Sequence, residues 1–283
     1  MDEKKIHILL CEDSLEGILS GVAFAYRSRY GHRFQKLKIR GEEGTLELFS
    51  EYIEVKADRE EAYKVYKAVY RELGVDGITY IESAAYSIFE DRAEAIYRFL
   101  VVGLANGRKT LDCFAEPAVG RMYEIHRNFA NEANHWQEFL RFRVQNRAEV
   151  IREIGLDMFP EDPGTHMSAE LLSAVIAPRH RVVPRIMLFF ADRFQGESFI
   201  IYDETHDMAG LHAKEKPWLL YEGFREAYPE LFAGLFSEDE NEREMQELWK
   251  IFFQATDIPE RYNPKVQRGL LPLWKRKHMT EFQ

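Results

Sequence analysis

The sequence predicts an α+β fold, a small antiparallel or mixed sheet packed with several helices. Three observations predict it. Apolar residues recur at helical 3/4 spacing along 58–73 and 117–140. Short β-type runs separated by turn residues dominate much of the second half. The chain has 283 residues, 46% of them hydrophobic, which suffices for a sizeable core.

Lys5–Leu10 reads as a short strand, followed by Ser14 as an N-cap, with Gly17 at N3, for a helix to about Ser28. Leu46–Phe49 and Tyr52–Val55 read as strand pieces. Asp58 caps a helix in which Ala62, Val65, Tyr66, Val69 and Leu73 keep the spacing until Gly74 stops it. Residues 79–106 read as one helix ending at Asn106-Gly107. Pro117 opens another, with the apolar stripe Met122, Ile125, Phe129, Ala133, Trp136 and Leu140. Residues 143–170 carry the weakest pattern and read as a long loop or insertion. Leu171–Ile176, Phe199–Tyr202, Ala209–His212 and Trp218–Tyr221 are predicted strands. A helix over Val183–Phe194 separates the first two, and Thr205–Met208 is a hairpin turn. Ser237 starts an acidic helix whose stripe of Met245, Leu248, Trp249, Phe252 and Phe253 is expected in the core. The whole chain, 1–283, reads as one domain, divisible into subdomains 1–116 and 117–283.

No run of ~18 apolar residues predicts a membrane span. The start, Met1-Asp2-Glu3-Lys4-Lys5, lacks the pattern of a signal peptide. Cys11 and Cys113 are the two cysteines, so a disulfide framework is not expected and a cytoplasmic location is. Two thiols hold neither a Cys-rich zinc site nor an iron–sulfur cluster. The glycine-rich phosphate and dinucleotide motifs, H-E-x-x-H and G-x-S-x-G are missing from the sequence.

Charge is unevenly placed. The net charge is −10, and residues 221–247 hold nine acids against Arg225 and Arg243. Three basic islands run the other way. They are 119–147 with Arg121, Arg127, Arg141, Arg143 and Arg147, then 178–193 with Arg179, Arg181, Arg185 and Arg193, then the tail from Asp257 with Arg261, Lys265, Arg268, Lys275, Arg276 and Lys277. Such islands bind a polyanion if the fold unites them, and are solvated faces if it does not.

Pro178-Arg179-His180-Arg181-Val182-Val183-Pro184 sets cations at a predicted helix start, an arrangement suited to phosphate. His180 has the pKa range of an acid–base group. His126 and His135 fall on opposite faces of one helix and cannot share a metal. Asp203-Glu204-Thr205-His206-Asp207 carries metal-ligand side chains, but at a turn, where local hydrogen bonding is the expected role; no metal site is assigned. In the tail, basic residues interleave with Tyr262 and Trp274, a pattern for backbone charge plus base stacking.

The tail also carries a resemblance. Trp249-Lys250-Ile251-Phe252-Phe253, then Ile258 through Arg261, Asn263-Pro264 and Gln267-Arg268, then a basic stretch ending Met279-Thr280-Glu281-Phe282, resembles a bacterial family assigned to DNA metabolism. Ser14–Leu19, Phe139-Leu140-Arg141-Phe142, His180 with Val182-Val183-Pro184, and Phe199–Thr205 fall in the same order, so the resemblance spans nearly the whole chain. The family's shared region is a domain of unknown function, found fused to uracil-DNA-glycosylase-family domains or encoded beside a radical SAM protein. Arg179 and Arg181 replace the family's more usual Asp and Asn, and 143–170 is longer than its usual turn. The family supplies no settled catalytic residues.

The resemblance implies a DNA-binding accessory protein in DNA modification or repair. Its partners would be DNA and a radical SAM protein or glycosylase domain, which would carry any iron–sulfur cluster or S-adenosylmethionine; this chain is expected to hold no cofactor. Arg141, His180, Arg261, Asn263, Arg268 and Lys275 are the candidate binding surface. One alternative is an enzyme acting itself on nucleic acid, a glycosylase, lyase or nuclease, with His135 or His180 as acid–base group and Asp203 nearby. A second is a protein-interaction scaffold.

Overall fold

The computed structural model describes residues 5–42, 44, 47–146, 170–236, 240–256, 258, 261 and 263–282. It is an α+β protein whose chain divides into two compact units, Met1–Asn131 and Glu132–Gln283.

The first unit is built on a parallel sheet. β1 (Ile6–Cys11) lies between β2 (Gln35–Ile39) and β3 (Ser50–Glu54), with Leu9 opposite Leu37 on one side and Ile53 on the other. A parallel sheet buries both faces, which is why Ile8-Leu9-Leu10-Cys11 is a continuous buried apolar run. α1 (Leu15–Arg27) starts where expected, Ser14 Oγ accepting from Gly17 N at 2.9 Å. Gly21 lets this helix approach β1, since a β-carbon there would collide with Cys11 Sγ.

α2 (Arg59–Ala85) is capped by Asp58 and breaks at Gly74, where φ is +72°. There the helix resumes rather than ends. The predicted single helix over 79–106 is two: α2 ends at Ala85 and α3 (Arg92–Asn106) begins after a turn. Periodicity alone cannot see that turn, which brings the buried Arg92 onto Asp13 at 2.6 Å and Glu42 at 2.7 Å. The strand expected over Leu46–Phe49 is not formed at its described end: Leu48 and Phe49 are an exposed turn with Phe49 at φ +61°, and residue 46 lies outside the described residues. α4 (Pro117–Phe139) buries the predicted stripe from Met122 to Trp136 and contains the unit boundary.

The second unit holds a mixed sheet in the order β4 (Arg143–Asn146), β5 (Glu170–Ile176), β6 (Phe199–Asp203), β7 (Met208–His212), β8 (Leu219–Glu222). Only β5 and β6 pair in parallel, joined through α5 (Val183–Arg193). Phe142, Phe190, Phe194 and Phe199 interlock beneath α5 with ring centroids 5.3–6.5 Å apart. Short helices α6 (Phe224–Ala227) and α7 (Pro229–Gly234) follow, then α8 (Glu240–Thr256), α9 (Pro264–Leu270) and a tail of 3-10 turns. Of the predicted insertion 143–170, the first four residues are β4 and 147–169 lie outside the described residues, as do Ser237 and Tyr262.

The apolar stripe of α8 corrects a prediction. Trp249, Phe252 and Phe253, expected in the core, are 37%, 57% and 38% exposed. Spacing predicts that such a stripe faces something; α8 packs on the tail turn at Thr280–Phe282, where Phe253 meets Phe282 at 6.2 Å, and its Trp249 ring lies under Arg141. Among the described residues no helix is long and apolar enough to cross a membrane.

Candidate functional site

The parallel pair β5–β6 ends with Ile176 beside Asp203, so the loops leaving both carboxyl ends lie together. In parallel strand pairs this edge is where ligand-binding groups collect. The loop after β5 contributes Arg179 and His180; the turn after β6 contributes Glu204 and His206. The second half of α4 brings Glu132 to them, and the C-terminal tail brings Trp274, Lys275, Lys277 and His278.

Glu132 organises the first loop. Its Oε1 accepts from Arg179 N at 2.9 Å and its Oε2 from His180 N at 3.0 Å, and the carboxylate lies 3.8 Å from His180 Nε2. Glu132 is 6% exposed and His180 2%. Buried backbone donors need acceptors, and a chain leaving a strand edge for a helix supplies none of its own. Burial pushes the His180 imidazole below its ordinary value; the Glu132 carboxylate opposes that shift, while His206 and Arg179 reinforce it.

The second loop closes on Asp203, which is fully buried. Its Oδ1 accepts from Thr205 N at 2.9 Å and His206 N at 3.2 Å, and its Oδ2 lies 2.6 Å from His206 Nδ1. Burial raises the Asp203 carboxyl above the usual carboxylate range, with His206 pulling it back. The neighbouring Glu204 contacts Lys277 and lies 3.2 Å from His278 Nε2. Burial works to raise its carboxyl too, but these two partners hold it below the ordinary range. Burial in turn lowers His278.

Parts of the basic islands meet here. Arg179 lies over the Trp274 ring at 4.6 Å and the Lys275 amine over the same ring at 5.0 Å. Arg141 pairs with Glu281 at 3.2 Å and faces the Trp249 ring at 5.5 Å. Arg121, from the first island, instead pairs with Asp91 and Glu124 at 2.7 Å in the first unit.

His180, Asp203 and Lys275 are thus gathered around Glu132 and His206. His180 and Lys275, expected on an exposed binding surface, are corrected: at 2% and 6% exposure neither is a surface contact. Both read as surface cations because loop and tail composition is polar. His180 is held in by Glu132 of α4, 48 residues away in sequence, and the Lys275 amine lies against the ring of its neighbour Trp274. His135 meets Phe139 of its own helix at 5.8 Å. Arg261, Asn263 and Arg268 are exposed around α9, and the Asn263 side chain accepts from Val266 N at 3.2 Å as that helix's N-cap.

Glu132 and His278 were not singled out from the sequence, and Glu204 and His206 stood out only as members of the Asp203–Asp207 turn. Glu132 left a legible signal: an acid three residues after Phe129 and four before Trp136, inside a buried stripe. The Asp203–Asp207 segment is the hydrogen-bonded turn expected of it, and among the described residues no group of three or more His, Cys, Asp or Glu is placed to hold a metal.

Fold and site together define an α+β protein with a buried acid–base cluster at the carboxyl edge of a parallel strand pair. The chain belongs to the family of the domain of unknown function DUF4130, whose model matches residues 90–281 and so includes every residue of the cluster. No curated protein and no solved structure matches it.

Proposed function

We propose that this protein is a DNA-binding component of DNA modification or repair, working with a radical SAM or glycosylase partner. The observation that supports it is the approach of three separate chain segments to one edge of the second unit, with Arg141, Arg179 and Lys277 at its accessible rim. Arg179 is the most available of these, because among the described residues no carboxylate lies in ion-pair reach of its guanidinium, whereas Arg141 and Lys277 are held by Glu281 and Glu204. Arg261 and Arg268 are further exposed cations, around α9. The exposed row Met245, Leu248, Ile251 and Phe252 on α8 is the kind of face a protein partner covers.

The second reading, an enzyme acting itself on nucleic acid, draws on a specific feature. The buried Glu132–His180 and Asp203–His206 pairs push titratable groups away from their ordinary values, as acid–base sites do.

Fluorescence anisotropy with single- and double-stranded oligonucleotides across a salt series tests the first reading. Four phosphate contacts, from Arg141, Arg179, Arg261 and Arg268, give a log–log slope of about −3 to −3.6. Arg268→Ala flattens the slope by about one unit with the fold unchanged. A protein that binds neither oligonucleotide in a salt-sensitive way, alone or with its partner, is the scaffold instead.

A further inference from the structure

Lys275 is the buried cation of this cluster, and Trp274 is the neighbour its amine meets. Its side chain is 6% exposed, yet among the described residues its amine makes no hydrogen bond and no ion pair. Lys277 holds Glu204 and Arg141 holds Glu281, whereas the exposed Arg179 shares the Trp274 ring with Lys275. A lysine that serves only to cover apolar surface buries its stem and leaves its head in water. Lys275 is held in by a 3-10 turn, Leu273–Lys275, with its amine against Trp274.

The charges facing it are mixed. Burial lowers the amine's proton affinity; Glu132 and Glu138 work against this, and Arg179 adds to it. A buried lysine beside another cation is the usual environment of an amine that reacts with carbonyls. Arg179 lies on the same indole ring, and an exposed guanidinium is suited to a phosphate.

We infer that Lys275 is an imine-forming nucleophile for a phosphorylated aldehyde, bound with its carbonyl at the amine and its phosphate at Arg179. The unprotonated Nζ adds its electron pair to the aldehyde carbon, and the C=O π pair moves to oxygen, which takes a proton. The carbinolamine then loses that oxygen as water, leaving a C=N bond to Lys275; addition of water reverses the sequence. Two sources share this chemistry: the ring-opened sugar of an abasic site in DNA, and a free sugar phosphate. The DNA source rests on the function proposed above; the amine's reactivity does not.

The test uses the full chain with cyanoborohydride, which reduces an imine to a stable amine. One arm carries an oligonucleotide with a single abasic site, the other deoxyribose 5-phosphate, and the labelled peptide is located by mass. Expected is labelling of Lys275 at pH 7 at least tenfold faster than of the exposed Lys265 or Lys277. Lys275→Arg abolishes the fast label, and Lys277→Arg keeps it. Lys275→Met, checked by tryptophan fluorescence for folding, loses it as well. Labelling in both arms supports the inference and the DNA source; labelling by the sugar phosphate without oligonucleotide binding supports the inference and overturns the DNA reading. Oligonucleotide binding with labels spread evenly over surface lysines overturns the inference and leaves DNA binding standing. Neither binding nor a Lys275 label overturns both.

Discussion

Replacing Glu132 with alanine removes one carboxylate and leaves two amides, the partly buried Arg179 N and the buried His180 N, without the acceptors they now have at 2.9 and 3.0 Å. A buried donor left unsatisfied costs about 1–3 kcal/mol, so the loss is roughly 2–6 kcal/mol for the second unit. Glu132→Gln keeps one acceptor oxygen and costs roughly half. All four tryptophans, Trp136, Trp218, Trp249 and Trp274, lie in Glu132–Gln283, so fluorescence reports on this unit alone. With a urea m-value near ~2 kcal/mol/M, the midpoint falls by about 1–3 M for the alanine variant and about half as far for glutamine. The glutamine variant also shifts the His180 titration further down, read by NMR, because the carboxylate now raises it. Midpoints for both variants within ~0.25 M of the parent would refute the view that Glu132 pins the loop that carries His180.

Acid should weaken the second unit before ordinary carboxylates titrate. Burial lowers His180, His212 and His278 in the folded state, so the unfolded chain takes up protons first. The stability they contribute is present above about pH 6.5 and declines as pH falls below it, by up to ~1.4 kcal/mol per pH unit for each proton. Asp203 has the opposite sign, since its raised carboxyl favours the fold only at lower pH, and that contribution is lost as pH rises through its raised value. Thermal melts by tryptophan fluorescence from pH 8 to 5.5 should show a falling midpoint; a flat profile contradicts the burial argument. His212→Leu should raise the midpoint and blunt this acid sensitivity, because both ring nitrogens of His212 are buried without partners; a loss above ~1 kcal/mol means the imidazole is hydrogen-bonded. Phe252→Ser, on the exposed face of α8, should cost under ~1 kcal/mol by urea titration while reducing self-association in light scattering, and a core-sized loss of ~3 kcal/mol would place the ring inside after all.

Much of the local structure was legible without coordinates. The Ser14 and Asp58 caps, the breaks at Gly74 and Asn106, and the strands from Leu171 to Tyr221 are local matters, set by side-chain hydrogen bonds and apolar periods within a few residues. The turn after Asp203 follows from its own carboxylate accepting from the next two amides. His180, Asp203 and Lys275 could be picked out because each sits in a short, compositionally unusual stretch.

What only the tertiary structure decided is which distant groups meet, and which side of each faces water. Lys275 and His180 are polar residues in basic stretches, indistinguishable in sequence from solvated cations, yet both are buried, His180 against Glu132 of α4. The α8 stripe is the converse case. Its period of 3.6 says that one face is apolar, but no period says whether the chain has anything to lay against it. Burial is a property of pairs of elements separated by tens of residues, and the 46 positions between Glu132 and Arg179 carry no local trace of the two hydrogen bonds that Glu132 accepts from Arg179 and His180.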